Sequence, residues 1–320
     1  MSPCSRKQPA GLAAPTRVGG SGGPGDGGHM APLPFVDSHV HFYDLQLPDV
    51  HYAGMEPGVT HPVFGSVAPI QAQRYWADDY IAETRFANVV KSIHVNVAVR
   101  TPDPVAETRW LQAFADRVGH PHGIVAEVDL LRTDAAAVVE RHLEYANLRG
   151  VRDLGPETEG YLHHPAWQRG FALLERYELV ACVDAAWEDF GTLRMLAERS
   201  PEMTISLDHC GFPKARTPGY FRDWREALFN LAGAANVVVK ISGLGMGDTR
   251  WTVDSIRPWV LSCIEAFGTD RSFFGTNWPI DRLFSSYPDV INAYSEIVAD
   301  FPPHEKEAMF RRNAERIFRV

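Results

Sequence analysis

From residue 35 onward, short apolar segments rich in Val, Ile and Phe alternate with longer amphipathic segments. A short apolar run bounded by turn residues is typical of a strand that is buried on both faces. Such strands, when they alternate with helices, predict a parallel sheet covered by helices. Eight repeats favour a distorted α/β barrel of the (β/α)8 (TIM) type over an open sheet. The predicted strands are residues 35–40, 89–99, 123–128, 150–154, 179–184, 204–209, 237–242 and 273–276.

The amphipathic segments between these strands predict helices. The first helix follows Asp103 and Pro104, which we expect to be its N-cap and its first helical residue. The predicted helices are residues 105–118, 135–148, 165–177, 218–235 and 254–267. Residues 44–81 show no clear strand pattern, so we expect them to form a substrate loop or lid over the barrel mouth.

Composition excludes several classes of function. The chain has 320 residues, of which 22% are charged, and its formal net charge is −9. Phosphate binding requires a basic surface, so this charge argues against a nucleic-acid partner. The apolar runs are shorter than a membrane span, so no membrane partner is expected. The expected partners are a small-molecule substrate and, as one alternative for the assembly, further copies of the chain in a homo-oligomer.

The cysteines and the N-terminal segment suggest the compartment and the domain boundary. No paired motif connects the four cysteines, which predicts reduced thiols and a cytoplasmic location; they are Cys4, Cys182, Cys210 and Cys263. Residues 1–30 are rich in Gly, Pro and Ala and carry no signal-peptide pattern, so we predict that they are disordered. Met30 is a candidate natural start, and residues 31–320 are predicted to form a single domain.

His39 and His41 lie two residues apart on the first predicted strand. Side chains alternate between the two faces of a strand, so both imidazoles point the same way. Two neutral imidazoles side by side form half of a site for Zn²⁺ or a similar divalent ion. His209 ends the sixth predicted strand, and active sites of (β/α)8 barrels form where the strands end. We therefore expect His39, His41 and His209 to form one catalytic cluster.

Other polar residues also fall at predicted strand ends. His94 and Arg152 are candidates for substrate binding, because the second strand delivers His94 and the fourth strand ends in Arg152. The guanidinium of Arg152 can bind a substrate carboxylate with two hydrogen bonds. A salt bridge of Arg152 with Asp153 or Asp184 is the alternative interpretation.

Two further predictions concern the inside of the barrel and its rim. Lys240 and Glu127 are candidates for an internal ion pair at the far end of the barrel. Trp278 is a candidate for substrate binding as part of an apolar wall. The other aromatic residues considered for that wall are Phe42, Tyr43, Trp76 and Trp187.

An ordered set of motifs resembles the amidohydrolase-2 family. Within that family, the chain is most similar to a lactonase-like branch that includes 2-pyrone-4,6-dicarboxylate lactonase and sugar-lactone hydrolases. The motifs run in the expected order from residue 35 to the end of the chain. They are DSHVHF at 37–42, LDHCGFP at 207–213, KISGL at 240–244, FGTNWP at 274–279 and NAERIF at 313–318.

The resemblance implies a distorted (β/α)8 barrel that hydrolyses lactones or related bonds. In metal-dependent members, the two strand-1 histidines, a later histidine and a strand-8 aspartate bind a divalent ion. These positions correspond here to His39, His41, His209 and Asn277. An amide is a poor ligand for a hard cation and cannot act as a general base. Asp281, four positions later, is the candidate to take over the role of the missing aspartate.

Two mechanisms follow from this comparison. In the first, His39, His41 and Asp281 hold Zn²⁺ or Mn²⁺, which acidifies a bound water and polarises the substrate carbonyl. In the second, no metal takes part, and the three histidines bind the carbonyl oxygen while Asp281 or His209 activates water. The presence of Asn277, together with Asp184 instead of a histidine at the end of strand 5, favours the metal-free mechanism.

The sequence therefore predicts a hydrolase that opens a lactone or a similar small carbonyl compound by attack of water. One alternative is a decarboxylase or hydratase on the same barrel. The other is a catalytically inactive barrel that only binds a ligand, an idea that Asn277 supports.

Overall fold

A computed structural model describes residues 33–52, 54–55, 58–63, 65–71, 74–154 and 160–320. Residues 1–30, predicted to be disordered, lie outside the described residues. The described residues from 33 to 320 belong to one compact unit. Within the described part of the chain, no helix is long and apolar enough to cross a membrane.

Eight parallel strands form the centre of the fold, and they are hydrogen-bonded in the order in which they occur along the chain. A parallel bridge between Val40 and Trp278 closes the sheet into a barrel. The closure is reinforced by the amide of His41, which donates to the carbonyl oxygen of Trp278 at 2.7 Å. The strands are β1 Phe35–Val40, β2 Val89–Val95, β3 Gly123–Glu127, β4 Leu148–Arg152, β5 Val180–Val183, β6 Ile205–Leu207, β7 Val237–Ile241 and β8 Ser272–Phe274.

Helices alternate with the strands, which confirms the predicted (β/α)8 barrel. They are α1 Ala77–Thr84, α2 Ala106–Val118, α3 Ala135–His142, α4 Pro165–Leu173, α5 Phe190–Arg199, α6 Pro218–Leu231, α7 Val253–Phe267, α8 Tyr287–Ile297, α9 Pro303–Glu307 and α10 Asn313–Phe318. A π-helical turn over Ala308–Arg312 joins the last two.

The barrel interior is apolar at one end and polar at the other. The apolar layer includes Val36, Val125 and Phe273 from the strands, together with Ile317 and Phe318 from α10. This C-terminal helix therefore covers the end of the barrel where the strands begin. The polar residues at the strand C-termini remain available for chemistry, as expected for this fold.

Several helix boundaries differ from the prediction. Val105, not Asp103, is the N-cap of α2, which begins at Ala106. The Asp103 carboxylate instead pairs with Arg109 and Arg141, at 2.7 and 2.6 Å. The predicted helices at 135–148 and 218–235 were too long, since α3 and α6 end six and four residues earlier.

The segment predicted to lack strands contains two short antiparallel ladders. Tyr43–Asp44 pairs with Arg74–Tyr75, and Thr60–His61 pairs with Gly65–Ser66. Residues 77–81, at the end of the predicted segment, belong to α1. Among the described residues, Cys182, Cys210 and Cys263 are free and buried.

Candidate active site

The structure brings the three predicted histidines together at the C-terminal end of the barrel. The ring centroid of His39 lies 4.9 Å from that of His41 and 4.4 Å from that of His209. His39 has no solvent-accessible surface, while His41 and His209 are 5% and 6% exposed. Strand alternation on β1 and the end of β6 therefore produce the cluster that the sequence predicted.

The chain after β6 makes an unusual turn that directs His209 toward the cluster. His209 and Cys210 both have left-handed backbone conformations, with φ of 53° and 56°. Left-handed conformations are costly for residues with a Cβ, so surrounding contacts must hold this turn. Gly243 packs directly on the imidazole, because a Cβ there would lie 2.5 Å from His209 Nδ1.

His39 is buried without satisfied hydrogen bonds. Neither of its ring nitrogens has a hydrogen-bond partner within the described part of the chain. Asp208 Oδ2 lies 3.8 Å from His39 Nδ1 and likewise makes no hydrogen bond to any residue that the structure describes. Burial, and then the neighbouring His209, hold the pKa of His39 well below its usual range. His39 is therefore a neutral imidazole with unused hydrogen-bonding capacity, which is uncommon for a buried group.

His41 is part of a chain of polar side chains that ends at Asp281. Its Nδ1 donates to the carbonyl oxygen of Val95 at 2.8 Å, and its Nε2 lies 3.2 Å from Asn277 Oδ1. Asn277 Nδ2 in turn donates to Asp281 Oδ2 at 2.7 Å. Burial raises the pKa of Asp281 to about 7. The predicted general base is thus separated from the imidazoles by the Asn277 amide.

His209 lies between a serine and an aspartate. Its Nδ1 is 2.9 Å from Ser242 Oγ, and its Nε2 is 4.0 Å from Asp184 Oδ1. The side chain of Asp184 is 27% exposed, so it marks the point where the cluster meets solvent. Burial lowers the pKa of His209.

A buried charge network lies beneath the imidazoles. Lys240 Nζ is 2.8 Å from Asp208 Oδ1, and neither side chain is exposed. The predicted ion pair between Lys240 and Glu127 is therefore wrong, because Glu127 instead accepts from the backbone N–H of Arg100 at 2.7 Å. Desolvation makes an unpaired buried ammonium very costly, and Asp208 supplies its counter-charge.

Arg152 belongs to the same network. Its Nη1 lies 3.1 Å from Asp184 Oδ2 and 3.7 Å from Asp208 Oδ2, and its Nε donates to Asn96 Oδ1 at 2.8 Å. The salt bridge with Asp184 thus forms, whereas Asp153 accepts from Trp167 Nε1. In this arrangement, the guanidinium orients Asp184 and Asn96.

The other two predicted substrate-binding residues lie to one side of the cluster. His94 Nδ1 accepts from the Phe42 amide at 3.1 Å, and its Nε2 is 3.5 Å from Glu107. Trp278 is 1% exposed and donates to Glu83 at 2.9 Å. These contacts support neighbouring backbone and helices.

Asp37 is a positioning residue to which the sequence analysis assigned no role. Its Oδ1 accepts from the backbone N–H of Thr276 at 2.9 Å. Its Oδ2 accepts from the hydroxyls of Tyr80 and Tyr287 at 3.0 and 2.9 Å. Asp37 thereby ties the strand that carries His39 to the turn after β8. The sequence feature that could have indicated this role is the position of Asp37 two residues before His39.

A cavity of about 540 Å³ lies on the rim of the barrel mouth. It is formed by the loops after β2, β3 and β4, and its lining includes Arg100, Glu127, Asp129 and Asp153. Burial raises the pKa of Glu127 to about 8. None of the three clustered histidines lines this cavity, so it neighbours the imidazole cluster and does not contain it.

The donors do not fit the divalent metal that the family resemblance implies. Across the residues that the structure describes, no group of three or more His, Cys, Asp or Glu side chains is arranged to hold a metal ion. Both ring nitrogens of His41 have partners, and Ser242 lies against Nδ1 of His209. The strand-8 position offers the amide of Asn277, which is a poor ligand for a hard cation.

A (β/α)8 barrel with histidines from its first and sixth strands meeting at the strand C-termini is the arrangement expected of an amidohydrolase. The sequence profile of the amidohydrolase-2 family, described as amidohydrolase, matches residues 36–320. The chain therefore belongs to the amidohydrolase family and is a hydrolase.

Individual relatives agree with this assignment. The chain is 37% identical to an uncharacterised protein, y4mH, of Sinorhizobium fredii, over 91% of this chain and all of the relative. It is 23% identical to an L-fucono-1,5-lactonase of Burkholderia ambifaria, over 89% of this chain and 95% of that protein. A crystal structure of a Burkholderia multivorans amidohydrolase with bound zinc has a TM-score of 0.77 at 24% identity, covering 89% of this chain and 99% of that one. The structural likeness shows the fold.

Proposed function

We propose that the protein is a lactonase that opens a small lactone by attack of water on its carbonyl carbon. The observation that carries the proposal is His39, a buried imidazole beside His41 and His209 whose two nitrogens have no partner among the described residues. Relatives named L-fucono-1,5-lactonase support a sugar lactone as the substrate class. The substrate is a small molecule, and three buried free cysteines support a cytoplasmic location.

His39 acts on the carbonyl oxygen of the substrate, and His209 acts on the attacking water. A neutral imidazole always carries one N–H, so His39 can donate a hydrogen bond to the carbonyl oxygen. That bond strengthens as negative charge develops on the oxygen in the tetrahedral intermediate. The lowered pKa of His209 keeps this ring neutral near pH 7, so it can accept the proton of the attacking water.

The remaining steps complete the hydrolysis. The water oxygen bonds to the carbonyl carbon, and its proton moves to the imidazole of His209. The ring C–O bond then breaks, and the departing oxygen takes the proton from His209 to give the hydroxy acid. His41, fixed by Val95 and Asn277, forms the wall beside His39. Asp281 is the alternative base, but the amide of Asn277 occupies its Oδ2.

A panel of lactones tests this proposal. The wild-type enzyme is expected to hydrolyse L-fucono-1,5-lactone or a related sugar lactone in an assay of acid release. His39→Ala should lower kcat/KM by about 100-fold or more, since loss of one oxyanion donor has this order of effect. His304→Ala, which removes an exposed histidine on α9, is the matched control and should keep full activity.

Two outcomes would contradict the proposal. Release of carbon dioxide from a carboxylated substrate, without hydrolysis of any lactone, would support the decarboxylase alternative. Ligand binding that His39→Ala abolishes, without turnover by the wild type, would support the inactive barrel.

A further inference from the structure

We propose that Asp184 is a catalytic residue that, together with His209, holds the attacking water between Asp184 Oδ1 and His209 Nε2. This inference rests on the proposed lactone hydrolysis. It assigns a catalytic role to a carboxylate that the sequence pointed to as a possible partner of Arg152 and as the residue replacing a histidine at the end of β5. Three features support it: an unpartnered oxygen of Asp184, the distance between Asp184 Oδ1 and His209 Nε2, and the position of His209 beside His39.

The first observation is an unpartnered hydrogen-bond acceptor on Asp184. Its Oδ1 is buried and has no hydrogen-bond partner within the described residues, while its Oδ2 is held by Arg152 at 3.1 Å. Buried carboxylate oxygens are nearly always hydrogen-bonded to protein or to ordered water. One oxygen of Asp184 is therefore fixed by a cation, and the other is left for a ligand.

The distance suits one water molecule. Asp184 Oδ1 and His209 Nε2 lie 4.0 Å apart, which is too far for a direct hydrogen bond. A water that makes hydrogen bonds of about 2.8 Å to both atoms would have an angle of roughly 90° between them. This angle is close to the angle between its own two O–H bonds. When His209 donates its Nδ1 proton to Ser242 Oγ, both facing atoms are acceptors, and water supplies the two hydrogens they need.

The position also suits attack on a carbonyl. The ring of His209 lies 4.4 Å from that of His39, so the water lies beside the proposed donor to the carbonyl oxygen. With both hydrogens bound to Asp184 and His209, the lone pairs of the water oxygen face the substrate. The partial exposure of Asp184 lets a new water enter from solvent after each turnover.

The step balances without a further reactant. The water oxygen forms a bond to the carbonyl carbon, and the carbonyl electron pair moves onto its oxygen. One water proton passes to His209 Nε2, while the other stays hydrogen-bonded to Asp184. The negative carboxylate, 4.0 Å away, stabilises the resulting imidazolium. Asp281 is less suited to this step because it is 3% exposed and lines a small space with Leu244 and Tyr294.

The test compares Asp184→Asn with Asp189→Asn on the lactone that the wild type turns over best. Asn keeps an acceptor for Arg152 but can donate where the carboxylate only accepted. We expect kcat to fall by about 100-fold or more, with KM little changed. The melting temperature should fall only modestly, because Asp208 stays near Arg152 as a counter-charge. Asp189 lies in the same loop, where its carboxylate contacts His163, and its Asn variant should keep wild-type kinetics.

The pH dependence separates a catalytic role from a structural one. Asp184→Asn keeps His209 but loses the carboxylate that holds the water, so hydroxide becomes the nucleophile and the residual rate should rise about tenfold per pH unit between pH 8 and 10. A structural defect would lower the rate by the same factor at every pH.

The failures of the two proposals can be distinguished. Absence of lactone hydrolysis by the wild type refutes the proposed function. Wild-type hydrolysis together with less than a threefold loss in Asp184→Asn, or a large loss in Asp281→Asn alone, refutes the role of Asp184 and leaves the lactonase proposal standing.

Discussion

Asp208 connects the charge network of the barrel to its imidazoles. One of its oxygens binds Lys240, and the other faces His39 and Arg152 at 3.8 and 3.7 Å. The sixth predicted strand includes Asp208, but the sequence could not show these partners, because they come from three other strands. A period-two pattern gives the direction of a side chain, whereas the identity of its neighbour depends on how the strands are paired.

Replacement of Lys240 by Met should be strongly destabilising. It leaves the Asp208 carboxylate buried without its closest cation, and breaking a buried pair in this way costs about 3–5 kcal/mol of the free energy of unfolding. Lys91→Met is the control, because Lys91 pairs with Glu315 at 2.8 Å but is 27% exposed. The control should lose about 0–1 kcal/mol. Equal losses in urea titrations of the two variants would mean that burial is not the cause.

Asp281 should make stability depend on pH. Its pKa is about 7 in the folded protein and about 3.9 in an unfolded chain. Between these values the folded state binds more protons, so this contribution to stability is present below pH 4 and lost as pH rises through 7. The difference in melting temperature between wild type and Asp281→Asn should therefore change in favour of the variant from pH 4 to pH 8. A difference that is constant with pH would contradict the raised pKa.

At the scale of elements, the strands were predicted closely and the helix ends less well. β1 has the predicted bounds, and each other strand overlaps its predicted range. The start of α2 was misplaced because Asp103 pairs with two arginines and does not cap the helix. α3 stops at His142, whose Nδ1 contacts Thr108 at 2.9 Å, and the chain then turns into β4. Tertiary partners of this kind are not visible in a hydrophobic pattern.

The turn after β7 should be intolerant of a side chain. Gly243 has φ of 62°, and a Cβ there would contact His209 Nδ1, so Gly243→Ala should displace the imidazole and lower kcat at least tenfold. Gly119→Ala is the matched control, since Gly119 shares the left-handed α conformation, with φ of 78°, and no described atom lies within 4 Å of its Cβ position. Backbone strain should cost each variant about 1–2 kcal/mol of stability, and Gly243→Ala should lose more because its Cβ also clashes with His209 and Met246. Full activity in Gly243→Ala would show that the turn can move without disturbing His209.

At the scale of the whole molecule, barrel closure is what assembles the site. The bridge from Val40 to Trp278 brings Asn277 against His41, although the two residues are 236 positions apart in the chain. The helix at the C-terminus fills the opposite end, so polar residues concentrate at the mouth. The same closure places the Asn277 amide between His41 and Asp281, whereas the direct pairing of β5 with β6 places Asp184 beside His209.

The amino-acid sequence by itself determined the barrel, the ends of its strands and the meeting of His39, His41 and His209. These follow from local periodicity and from the rule that parallel strands end at one face. Only the tertiary structure decided that Lys240 pairs with Asp208, that Arg152 is occupied by protein groups and that Asp184 has an oxygen facing His209 with no partner in the described part of the chain. Those contacts join residues from different strands, and their distances depend on how the closed barrel packs its interior.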